Sequence, residues 1–65
     1  MQVMINGKAM AVPNGCTIAT LLMQLQITGK LAVELNGEIV PRSEYATHTL
    51  QDRDCLEVVH AIGGG

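Results

Sequence analysis

Val12-Pro13-Asn14-Gly15-Cys16-Thr17-Ile18-Ala19-Thr20-Leu21-Leu22-Met23-Gln24-Leu25 is where the hydrophobic period of the chain changes, and the fold follows from what lies on either side. Proline lacks a backbone donor and presets φ, while glycine permits a left-handed step, so Pro13-Asn14-Gly15 ends whatever ladder precedes it. Beyond the break, Ile18, Leu21, Leu22 and Leu25 recur at i, i+3, i+4 and i+7, the apolar stripe of one helix, with Gln24 and Gln26 off it. Thr17 is placed to cap that helix, its hydroxyl accepting an otherwise orphaned N–H. Thr28-Gly29 offers a stop, with glycine in the left-handed position after the last turn. These signals predict a helix of about ten residues that buries its leucine face.

Upstream, the pattern has a period of two. Val3 and Ile5 point one way and Gln2, Met4 and Asn6 the other, as in a half-buried strand. Asn6-Gly7 suits a type I′ turn, whose two central residues both need positive φ, so Lys8 to Val12 returns antiparallel with Met10 and Val12 inward. Downstream, a second hairpin repeats the device: Leu31, Val33 and Leu35 alternate with Ala32, Glu34 and Asn36, then Asn36-Gly37 turns into Glu38-Ile39-Val40, which Pro41 ends. Arg42 to Thr49 is weakly patterned and predicts a short helical turn around Ser43 to Tyr45 with an irregular return to Leu50, a core plug. After the polar turn Gln51-Asp52-Arg53-Asp54, Leu56 and Val58 alternate with Cys55, Glu57 and Val59 in a last strand running toward Ala61.

Two hairpins, one helix between them and a final strand make an α+β domain, a mixed sheet of four to five strands covered on one face by a single main helix. That order is the ubiquitin-like β-grasp pattern. Residues 1–62 form the expected domain and 63–65 a flexible C-terminal glycine tail.

At 65 residues the chain buries only about 60% of the surface its unfolded form would expose, which leaves no room for a deep cleft and argues against an enzyme acting alone. The longest apolar run, Ala9 to Val12, is far short of the roughly 18 residues that span a bilayer, and no basic stretch followed by an apolar segment opens the chain. Neither membrane insertion nor secretion is expected. With Lys8, Lys30, Arg42 and Arg53 the only cations, scattered over four segments, nucleic acid is a poor partner. Cys16 and Cys55 lack the spacing of a metal or redox motif, so no metal site is expected and both should be free thiols in the cytoplasm. His48 and His60 read as surface or strand residues and Tyr45 as a half-buried anchor. The acids Glu34, Glu38, Glu44, Asp52, Asp54 and Glu57 are dispersed along the chain as a solvated face, without the pairing general acid–base catalysis needs.

What remains is Ile62-Gly63-Gly64-Gly65. A terminal carboxylate is ionised at neutral pH and resists nucleophilic attack, so it reacts only if activated elsewhere. Glycines without Cβ atoms let such an end thread a narrow channel. Ordering the tail costs about 1–2 kcal/mol per residue, more than burial of Ile62 offsets, so a working tail needs a docking surface beside it. If Leu56 and Val58 face the helix, Cys55, Val59 and Ala61 face outward, joined by Met4 and Ala32 should those strands be neighbours: an apolar patch on an open sheet face. Val59, Ala61 and Ile62 are therefore the candidate partner-binding residues.

As a whole the chain resembles the ThiS/MoaD family of ubiquitin-like sulfur carriers, and within it the ThiS branch of thiamine thiazole biosynthesis. The likeness is carried by Met1 to Gly7, Gly15-Cys16-Thr17-Ile18 with Leu21-Leu22, Ala32 to Arg42 with its Ile39-Val40-Pro41-Arg42 segment, Asp52-Arg53-Asp54, and Leu56-Glu57-Val58-Val59 running into Ala61-Ile62-Gly63-Gly64-Gly65. Cys16 and the third glycine depart from the family's simplest pattern. The resemblance implies a protein co-substrate rather than an enzyme, with no cofactor of its own. A ThiF-like adenylyltransferase uses ATP to adenylylate the Gly65 carboxylate, and sulfur from a desulfurase persulfide displaces AMP. The thiocarboxylate so formed donates sulfur at the thiazole synthase ThiG, with Gly63 and Gly64 as the arm. Rival readings are a molybdopterin-synthase small subunit and a ubiquitin-like protein modifier.

Overall fold

Period-two and period-3.6 stretches become five strands and one helix in the structure, a computed structural model that describes residues 1–60. The strands are β1 (Gln2–Ile5), β2 (Lys8–Ala11), β3 (Leu31–Leu35), β4 (Glu38–Val40) and β5 (Cys55–His60); the helix α1 is Ile18–Gln24, and Arg42–Glu44 form one 3-10 turn. The sheet order is β2-β1-β5-β3-β4, so the last strand lies between the two hairpins, parallel to β1 and antiparallel to β3. This is the expected mixed sheet under one helix.

Both Asn-Gly turns take the expected conformation, with φ +49 and +84 at Asn6 and Gly7, and +53 and +88 at Asn36 and Gly37. Their asparagines also hold β5. The Asn6 side chain accepts from the Val58 N–H at 2.8 Å and donates to the Val58 carbonyl at 3.1 Å, adding a rung where β1 has already turned away. On the other flank, Asn36 Oδ1 accepts from the Cys55 N–H at 2.9 Å and its amide donates to Asp54 Oδ1 at 3.1 Å. Asp52 and Asp54 serve the adjoining turn, accepting from the N–H groups of Gln2 and Gln51.

The helix starts as expected and ends early. Thr17 accepts from Thr20 N–H at 3.2 Å, but α1 is seven residues rather than about ten. Its stop is not Thr28-Gly29. Gln26, at φ +58, takes the left-handed position; its N–H donates to the Met23 carbonyl and that of Ile27 to the Leu22 carbonyl, which is the paired closure that terminates helices. Half-buried Ile27 packs against the core there and offsets the strain of a non-glycine residue at positive φ.

The weakly patterned return is tied down by the helix start. Ile18 N–H donates to the His48 carbonyl and Ala19 N–H to the Tyr45 carbonyl, so the first orphan donors of α1 hold residues 45–48 in place. Leu50, 2% exposed, plugs the core as expected. Val3, Ile18, Leu21, Val33 and Leu56 form its centre, all aliphatic, and Cys16 is buried beside them while Cys55 is exposed; both thiols are free.

Candidate functional site

Helix α1 covers only one face of the sheet, and strand alternation decides what the other face shows. With Leu56 and Val58 buried, Cys55, Glu57 and Val59 point away from the helix. Register then supplies their neighbours. Met4 lies beside Cys55 and Ala32 opposite Val59, so four of the five residues expected to form a patch, Met4, Ala32, Cys55 and Val59, share the open face, and the fifth, Ala61, lies outside the described residues. Val59 is 56% exposed, a large apolar group with no reason to sit there for stability.

Two contributors were not evident from sequence. Ile39, 66% exposed, faces the same side because it pairs with Glu34. Glu34 in turn lies directly opposite Glu57, so two acids that are distant in the chain become cross-strand partners. Like charges in that position repel, and the ion pair found among the described residues, Arg53 with Asp52, involves neither of them. The signal was present in the alternation of each strand, but only the β3–β5 register joins them. The face therefore presents an acidic pair ringed by Val59, Ala32 and Ile39, a surface complementary to an apolar patch with a basic group at its centre.

The other candidates sort as follows. His60 ends β5 exposed to solvent and His48 is half-buried in the return loop. His48, Glu38 and Asp54 border an open depression of about 340 Å³, without a nucleophile hydrogen-bonded to a base. Among the described residues no group of three or more His, Cys, Asp or Glu side chains is arranged to hold a metal, and no helix is long and apolar enough to cross a membrane. Ala61 and Ile62, and the tail Gly63, Gly64 and Gly65, lie outside the described residues, as does the expected boundary at residue 62. Val59 is the candidate partner-binding residue that the structure places.

Comparison with known proteins bears on the whole chain. The model of the ThiS family matches residues 3–65. The sulfur carrier protein ThiS of Escherichia coli is 39% identical over 66 aligned positions, covering all of both chains. A thiazole synthase of Paramagnetospirillum magneticum is 44% identical over 66 positions, all of this chain but 20% of that protein, so the chain spans about a fifth of that relative's length. Among solved structures, the crystal structure of the thiamine biosynthesis protein ThiS from Geobacter metallireducens superposes with a TM-score of 0.87 at 32% identity, covering both chains completely.

Proposed function

The chain belongs to the ThiS family, and from that premise we propose that it is a sulfur carrier of thiamine biosynthesis whose reactive group is the Gly65 carboxylate. The observation that carries this reading is the placement of β5. A strand central in the sheet leads directly toward Ile62-Gly63-Gly64-Gly65, and the face beside it offers apolar groups around an acidic pair.

The chemistry is that of a carboxylate made into an acyl donor. A carboxylate oxygen of Gly65 attacks the α-phosphorus of ATP on a ThiF-like adenylyltransferase and expels pyrophosphate. The mixed anhydride now has AMP as a leaving group, which the ionised carboxylate lacked. A persulfide sulfur from a desulfurase attacks the acyl carbon and releases AMP; a second thiol then reduces the acyl disulfide, leaving the thiocarboxylate. The glycines suit the route because no Cβ obstructs a channel closed around them. The chain supplies no acid, base or cofactor to these steps. It acts as protein co-substrate, and ATP belongs to the activating enzyme.

Docking rests on the open sheet face, where Val59 lies, with Ala61 and Ile62 following it in sequence before the tail. A thiazole synthase of the ThiG type is the acceptor in this reading, supported by the occurrence of a segment like this chain within a protein named thiazole synthase. Two free thiols fit the reducing cytoplasm. Incubation with ATP, a ThiF-type enzyme and a sulfide source, followed by intact-protein mass spectrometry, tests the proposal. Exchange of one oxygen for sulfur, located to Gly65 by fragmentation, is expected. Its absence with an enzyme that converts its own carrier overturns the reading.

A further inference from the structure

We propose that His60 is a positioning residue for the tail: its imidazole, hydrogen-bonded to the Thr28 carbonyl, fixes the end of β5, from which the sequence continues into the glycines. The inference rests on the carrier reading above and assigns a role to a side chain outside the docking face.

The end of β5 is held unevenly. On the β1 side the last rung is the Asn6 side chain on Val58, so Val59 and His60 have a strand partner only in β3, through Ala32 and Leu31. Neither side chain is buried, and packing does not hold them. Backbone entropy favours fraying of such a strand end. Among the described residues, a side-chain hydrogen bond adds to the β3 pairing and opposes it. His60 Nε2 lies 3.1 Å from the carbonyl oxygen of Thr28, in the loop that joins α1 to β3. A carbonyl only accepts, so the ring donates from Nε2. The loop is turned near the contact by Gly29, whose φ of +101 is a conformation other residues resist, and a Cβ added there would come within 3.9 Å of the ring.

For a tethered reactive group this anchorage matters more than its strength suggests. Residues 61–65 span at most about 18 Å, so a change of about 10° at their origin displaces the far end by about 3 Å. If residues 59 and 60 leave the sheet, two more residues must be ordered whenever the carbonyl carbon is brought to the nucleotide. Body docking and tail delivery are then separable. The sheet face sets how tightly the carrier binds, and His60 sets how often a bound carrier has its end in place.

The test compares His60→Ala and His60→Gln with the parent chain as substrates of a ThiF-type adenylyltransferase, following adenylylation at varied carrier concentration. The Gln side-chain amide carries a donor that can occupy the Nε2 position. His60→Ala is expected to lower kcat about tenfold with KM unchanged, and His60→Gln to stay within about twofold of the parent. Faster amide exchange at Val59 and His60, with none at Leu56, is expected to accompany the Ala variant. Unchanged kcat, a raised KM at constant kcat, or failure of Gln to rescue overturns the proposal. In the unmodified protein, nitrogen NMR of the neutral ring should find the proton on Nε2; a proton on Nδ1 alone also overturns it. If the parent chain itself is never adenylylated, the carrier reading fails instead, and the two failures are told apart by that control.

Discussion

The two ends of β5 are built to different standards. At its start, Met4 N–H donates to the Asp54 carbonyl and Asn36 N–H to the Cys55 carbonyl, Asn36 and Asp54 link their side chains, and Leu56 is 1% exposed in the core. At its end, among the described residues, Val59 and His60 are exposed, pair with β3 on one side, and are held by one side-chain hydrogen bond. A single strand is thus a central element of a small core and, in the carrier reading proposed above, the base of a tether. The difference locates the strand's hold at its start, while in that reading the looser end serves delivery of the tail.

The strongest way to break this contrast is to remove core volume at the start. Leu56→Ala should destabilise the domain by about 2–5 kcal/mol, because a centrally buried side chain leaves a cavity the neighbours fill only partly. In a domain this small that is a large share of the total stability. Urea denaturation measures it, and a loss below about 1 kcal/mol would mean that the core is not centred on β5. At the far end the effect moves from stability to binding. Val59→Asp should change stability by less than about 1 kcal/mol, since the site is 56% exposed, yet weaken docking to the activating enzyme about tenfold or more. Titration calorimetry and thermal melting on the same variant separate the two readouts.

Asn6→Gly sharpens the comparison at intermediate scale. Glycine keeps the turn, where φ is +49, and even relieves its strain, so any loss reports the amide alone. Removing it leaves the N–H and carbonyl of buried Val58 without that partner, at a cost of about 1–3 kcal/mol set against a smaller gain from the turn. A net loss of about 1 kcal/mol by denaturation is expected; a neutral or stabilising result would show that the asparagine clamp contributes little.

Much of this architecture was legible because local chemistry and the global fold agree. Each Asn-Gly between alternating runs gave a hairpin, Thr17 gave the helix start, and Leu50 gave the plug. The helix end was misplaced because Gln26 carries no sign of positive φ; only packing of Ile27 makes that conformation affordable. In residues 42–49 the expected short helical turn forms one residue early, at Arg42–Glu44, and what the pattern did not show is that the carbonyls of Tyr45 and His48 accept from the first N–H groups of α1. The site divides the same way. Val59 and its apolar neighbours followed from alternation within strands, whereas the Glu34–Glu57 pair and Ile39 depend on which strands meet and in what register.

That acidic pair yields the smallest effect and the most discriminating one. Glu57→Gln removes a like charge directly opposite Glu34, so the free protein should gain a few tenths of a kcal/mol, a gain that shrinks as salt is added. Against a partner that brings a cation to the same spot, the substitution removes an attraction instead, and association should slow most at low ionic strength. Opposite signs in one variant, stability up and association rate down, are expected only if the repulsion in the free protein is retained for the sake of docking. Equal melting curves together with equal association rates across a salt series would leave Glu34 and Glu57 as an ordinary solvated face, and docking would then rest on Val59 and its apolar neighbours alone.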